Sequence, residues 1–133
     1  MRFMLDTNTC VDVIRRRNDR VLRRMQRLRP GDLCVSSVTL SELEYGAAKS
    51  SDPQRNRLAL AEFMTPLRVV PYDDTVAPVY GRVRTELERV GTPIGPWDTM
   101  IAAHALSLGL TVVTDNEREF RRVPGLKVQN WAK

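Results

Sequence analysis

The chain has 133 residues, enough for one domain (1–133) with a real core, and 42% apolar with 28% charged residues excludes a disordered segment. A net charge of +5, carried mainly by arginine, points to a polyanionic partner, nucleic acid first. No apolar run reaches membrane-spanning length and no signal-peptide pattern opens the chain. With only Cys10 and Cys34, each in an apolar stretch, the expected setting is a reducing cytoplasm.

Arg2 to Leu5 reads as a short buried strand that runs straight into Asp6-Thr7-Asn8. An acid there either caps the helix that follows or stands where open α/β sheets bind ligands, just beyond a strand's carboxyl end. From Asn8 to Leu28, Val11, Ile14, Val21, Met25 and Leu28 recur at helical spacing, and Asn18-Asp19 divides the stretch into two helices. Their polar side carries Arg15, Arg16, Arg17, Arg20, Arg23, Arg24, Arg27 and Arg29 against Asp19, a footprint for RNA, DNA or an acidic protein.

After Pro30-Gly31 comes a second strand, Leu33–Val35, and a helix over 38–49 capped by Ser36 or Ser37. Its apolar stripe is Leu40, Leu43 and Ala47, with Glu42 beside the stripe rather than opposite it. Ser51-Asp52-Pro53 opens another helix, which runs to about Pro66. Leu67–Val70 is a third strand, and Asp73 or Asp74 is expected to open a long helix ending near Val90. The loop over 91–96, rich in proline and glycine, precedes an apolar helix over 97–108 that ends at Gly109. Asp98 lies in its first turn and shares a face with Ile101, Ala102 and Ala105, so its carboxylate is aimed inward. Trp97 beside it reads as a core aromatic, with stacking on a flipped base as the alternative. A fourth strand over 110–114, β-branched and buried on both faces, leads into Asp115-Asn116, and Lys127-Val128 forms a short edge strand.

Strands alternating with helices imply a parallel sheet covered on both faces. Two strand ends then deliver acids to one edge of that sheet, and the helix starts bearing Glu42 and Asp98 can face the same edge. The lone His104 supplies neither a histidine pair nor a zinc site, and no serine sits in a nucleophile-elbow pattern. A cluster of oxygen ligands alone suits a hard cation, Mg²⁺ or Mn²⁺, and with a basic surface this implies a metal-dependent nuclease.

The segments 3–8, 36–43, 45–47, 91–105 and 113–120, in this order and spacing, resemble the PIN-domain ribonucleases, and among them the VapC toxins of toxin–antitoxin pairs. The resemblance implies a three-layer α/β/α sandwich around a central parallel sheet of about four to five strands. It implies metal binding by Asp6 and Asp98, Glu42 as third acid, and Thr114 orienting the site. Many PIN domains carry an acid where this chain has Asn116. Relatives with asparagine there often have an acid three residues on, which favours Glu119, with Asp115 as the rival and Asn116 as a neutral oxygen donor. The stretch from Gly91 to Asp98 is most similar to the subgroup that cuts initiator tRNA in its anticodon stem-loop. The family further implies a homodimer, a VapB-type antitoxin lying along the arginine-rich first helices, and promoter DNA bound mostly through that antitoxin. Two rivals remain: a PIN-like module that binds RNA or antitoxin without cutting, and a phosphatase using Asp6 as nucleophile. Asn8 stands against the second, since such enzymes place another aspartate there.

Overall fold

A computed structural model describes residues 1–133. Five short strands, β1 (Phe3–Leu5), β2 (Leu33–Ser36), β3 (Arg68–Val70), β4 (Thr111–Val113) and β5 (Lys127–Gln129), form one sheet in the order β3-β2-β1-β4-β5. Every pairing is parallel, so each strand must be followed by a crossover. The helices that make the crossovers are α1 (Thr7–Ile14), α2 (Asp19–Gln26), α3 (Ser37–Ala48), α4 (Pro53–Met64), α5 (Ala77–Arg89), α6 (Pro96–Leu108) and α7 (Glu117–Phe120).

Strand alternation assigns the two faces. Phe3, Leu5, Val35 and Val113 point into a core closed by Cys10, Val13, Leu43, Leu60 and Trp131. Met4, Cys34, Val112 and Val128 point into the opposite core with Val83, Leu87, Ile101 and Phe120. The sheet is therefore covered on both sides, as its alternating elements imply. Cys10 and Cys34 are buried free thiols on opposite faces.

Local signals explain most boundaries. Ser36 caps α3 by accepting a hydrogen bond from the Val38 N–H at 3.1 Å, and Asp52 caps α4 through the Arg55 N–H at 3.2 Å. Gly109 ends α6 in the left-handed region at φ 68°, where a side chain would be strained.

Four expectations need correction. The helix expected from Asp73 or Asp74 starts only at Ala77. The Asp73 carboxylate instead accepts bonds from the Thr75 N–H and hydroxyl, which holds a turn in place of a helix cap. The break expected at Asn18-Asp19 is present, with Asn18 capping α2, but α1 already ends at Ile14 and Arg16 between them takes φ 55°, an uncommon conformation outside glycine. Leu40 is only half-buried, and α3 packs through Val38, Thr39, Leu43 and Ala47. Trp97 is 55% exposed and not in the core. The buried stretch of α6 begins at Thr99, so the first turn projects past it.

Candidate active site

The strand order places a switch point between β1 and β4: the chain leaves β1 for one side of the sheet and later returns to the other. Such a point opens a crevice beyond the strands' carboxyl ends. Asp6 and Thr114 are the residues immediately after those two strands. The Asp6 N–H donates to the Val113 carbonyl at 3.1 Å, which fixes the strand ends side by side.

Asp6 is buried, with 2% exposure, and its two carboxylate oxygens are engaged separately. Its Oδ1 accepts the Thr9 N–H at 2.9 Å and caps α1. Its Oδ2 accepts the Thr114 hydroxyl at 2.6 Å across the switch point. Burial raises the Asp6 pKa, while the bonds from Thr114 and Thr9 oppose that rise. Thr114 in turn accepts the Asn116 N–H at 2.9 Å, so one hydroxyl joins the acid to the β4–α7 loop.

Glu42 sits in the second turn of α3, beyond the reach of a helix-dipole explanation. Its Oε1 accepts the Thr7 hydroxyl at 2.7 Å. The sequence alone does not mark Thr7 as a partner of Glu42. Its only signal was adjacency to Asp6, because the bond spans two elements 35 residues apart.

The half-buried Asp98 does not cap α6, whose N-cap is Gly95 with no side-chain bond. Its pKa is pushed up to about 6, first by burial and then by repulsion from Asp6, Glu119 and Glu42. Asp6, Glu119 and Glu42 therefore all act on Asp98 through space. Glu119, on α7, accepts the Asn116 side-chain amide on Oε2 at 2.9 Å. Asp115 is exposed, and its charge is the weakest influence acting on Asp6. Glu117 belongs elsewhere: Lys133 at 2.8 Å and Arg121 at 3.1 Å engage it, and bonds from Lys133, Asn130 and Arg121 hold its pKa down to about 2.

Asp6, Glu42, Asp98 and Glu119 thus gather where the sheet opens, and none of them forms a salt bridge. Thr7, Thr114 and Asn116 each hold one of these acids with a neutral donor, which orients a carboxylate without cancelling its charge. The donor set is all oxygen, the chemistry of a hard divalent cation. The acids stand apart, with no three of them drawn into a preformed ligand cluster.

His104, the lone histidine, is buried on α6 with its Nδ1 2.9 Å from the Ser36 hydroxyl, and burial lowers its pKa. It joins the elements that carry Asp98 and Glu42. Of the eight arginines expected on the first helices, only Arg20, Arg23 and Arg24 lie within one (α2), because α1 ends at Ile14 and α2 at Gln26; the others follow the helix ends, and all eight are exposed, with Arg17 3.7 Å from Asp12 and Arg24 over the Trp131 ring.

The PIN domain family matches residues 3–126. The chain is 47% identical over 131 residues to the tRNA(fMet)-specific endonuclease VapC of Salmonella typhimurium, covering 98% of each. The solved structure of DNA-bound VapBC from Salmonella typhimurium superposes with a TM-score of 0.93 at 47% identity, covering 98% of each chain. VapBC2 of Rickettsia felis, solved bound to a DNA fragment from its promoter, superposes with a TM-score of 0.93 at 36% identity over 98% of this chain and 99% of that one.

Proposed function

This chain belongs to the PIN-domain family, within its VapC ribonucleases, and from that premise we propose that it is the toxin of a toxin–antitoxin pair, cutting initiator tRNA in the anticodon stem-loop and blocking translation. One observation carries the chemistry: Asp6 stands at the sheet's switch point, Asp98 feels the charges of Asp6, Glu119 and Glu42, and none of the four acids is neutralised by a salt bridge. Such a charge cluster is costly unless it serves to bind a cation.

Asp6 and Asp98 would hold Mg²⁺ or Mn²⁺. The chemistry such a cation supplies when bound is polarisation of the scissile phosphate and a lowered pKa for water. The remaining work belongs to the chain. The Thr114 hydroxyl fixes the rotamer of Asp6 through Oδ2. The Thr7 hydroxyl occupies Oε1 of Glu42, which leaves Oε2 to take a proton from the attacking water. The Asn116 amide does the same for Glu119, leaving Oε1 free, and this favours Glu119 over the exposed Asp115 as fourth acid. A single-stranded loop suits the crevice, because its phosphate and bases are accessible as those of an RNA duplex are not.

The partner is a VapB-type antitoxin. Between α1, α3 and α4 runs a cleft of about 520 Å³ floored by Val11, Ile14, Leu43 and Leu60, with Arg15, Arg55 and Glu42 on its walls. An antitoxin segment seated there and along the arginine-rich helices would end at the acids. We take the working unit to be a homodimer, with promoter DNA bound through the antitoxin complex. No helix is long and apolar enough to cross a membrane, and a tRNA substrate would be met in the cytoplasm.

The test is cleavage of end-labelled total tRNA by purified, antitoxin-free protein with Mg²⁺ or Mn²⁺, with EDTA, and by Asp98→Asn prepared in parallel. One discrete cut in an anticodon loop, lost with EDTA and in the variant, is the expected result. A well-folded protein that cuts no RNA under any of these conditions overturns the reading.

A further inference from the structure

We propose that Trp97 is a stacking platform for an unpaired base of the RNA strand lying over the acid site, an inference that rests on the ribonuclease reading above. A tryptophan at 55% exposure exposes a large apolar ring to water, and the chain's other tryptophan, Trp131, is only 4% exposed. Trp97 precedes Asp98 in the first turn of α6, at the rim of the crevice where a phosphate would be cut.

The ring stands on a braced support. Pro96 fixes the first helical turn, and the Thr99 hydroxyl donates to the Gly95 carbonyl at 2.8 Å. Arg122, just beyond α7, donates to the Pro93 carbonyl at 3.0 Å and ties the loop to the segment bearing Glu119. A braced backbone beneath the ring leaves only the side chain to be ordered when a base lands on it.

The ring is also available. Tyr45, the other exposed aromatic near the acids, lies one turn from Glu42, but the Lys49 ammonium covers its ring at 4.8 Å. Trp97 stacks on no aromatic and meets no cation of the chain. A lone aromatic beside an acid site suits the π-face of an unstacked nucleobase, whatever its identity. A base inside a duplex could not reach it.

Intrinsic fluorescence tests this directly, since the buried Trp131 supplies a steady background. The full chain in EDTA, which prevents cleavage, is titrated with an unstructured oligoribonucleotide and with the same sequence as a perfect duplex. The expected result is quenching by the single strand and much less by the duplex. Trp97→Leu should lose the response and weaken single-strand binding about tenfold, the range expected for one base–aromatic stack. With Mn²⁺ it should raise KM more than it lowers kcat, and Trp97→Tyr should restore most of the affinity. If Trp97→Leu binds and cuts RNA like the parent, the stacking assignment fails while the nuclease reading stands. If the emission shifts with protein concentration and not with RNA, the ring is a contact between copies and the assignment fails again. A parent protein that neither binds nor cuts RNA overturns both.

Discussion

Asp98→Asn should stabilise the metal-free protein while abolishing cleavage. In the folded chain the Asp98 carboxyl is raised from 3.8 to about 6 by burial and by three neighbouring acids. Between those values the folded state holds the proton and the unfolded state releases it, so stability falls as pH rises through this window. The penalty is complete above about pH 6 and absent below about pH 4. A rise of this size corresponds to about 3 kcal/mol. Partial exposure and ionic screening reduce the expected effect to about 1–2 kcal/mol. An amide of the same shape cannot ionise and escapes the whole penalty. In EDTA at pH 7.5, thermal denaturation should show the variant higher in Tm by on the order of 5 °C, with the gap closing toward pH 4. A variant equal to or less stable than the parent at pH 7.5, or a gap that does not change with pH, would refute the idea that Asp98 stands in a crowd of negative charge.

Thr7→Val removes the only side-chain hydroxyl on Glu42 and should lower the metal-dependent rate by roughly tenfold, the scale of a hydrogen bond to a charged group. Thr7→Ser should restore it, and isothermal titration with Mn²⁺ should report weaker binding for the valine variant alone. Thr114→Val leaves a buried carboxylate without its shortest donor and should cost about 1–3 kcal/mol in urea unfolding at neutral pH. Glu119→Gln should reduce the Mn²⁺-dependent rate far more than Asp115→Asn, and the reverse order of losses would make Asp115 the fourth acid. His104→Ala breaks the bond to Ser36 inside the core, and chemical denaturation should register a loss of about 2 kcal/mol or more.

The amino-acid order alone determined what depends on near neighbours. The unbroken apolar run Phe3-Met4-Leu5 defined a strand with two buried faces, Ser36, Asp52 and Asn18 marked helix starts, and Gly109 marked a helix end. The acids at the ends of strands and in early helical turns could be picked out for the same reason, since each sits at a local change of pattern. The misreadings were local signals with two solutions. Asp73 could cap a helix or fold back on Thr75, and Trp97 could enter a core or project beyond the first turn.

Everything that joins distant segments was decided by the tertiary structure. Only the order β3-β2-β1-β4-β5 sets β1 beside β4 and lets Thr114 reach Asp6 across 108 positions. Thr7 meets Glu42 because α1 and α3 leave the same edge of the sheet, and no period in the sequence encodes that meeting. The elevated Asp98 pKa has the same origin: burial and repulsion both depend on what lies nearby in space, and parallel pairing with crossover helices brings Asp6, Glu119 and Glu42 within range of Asp98.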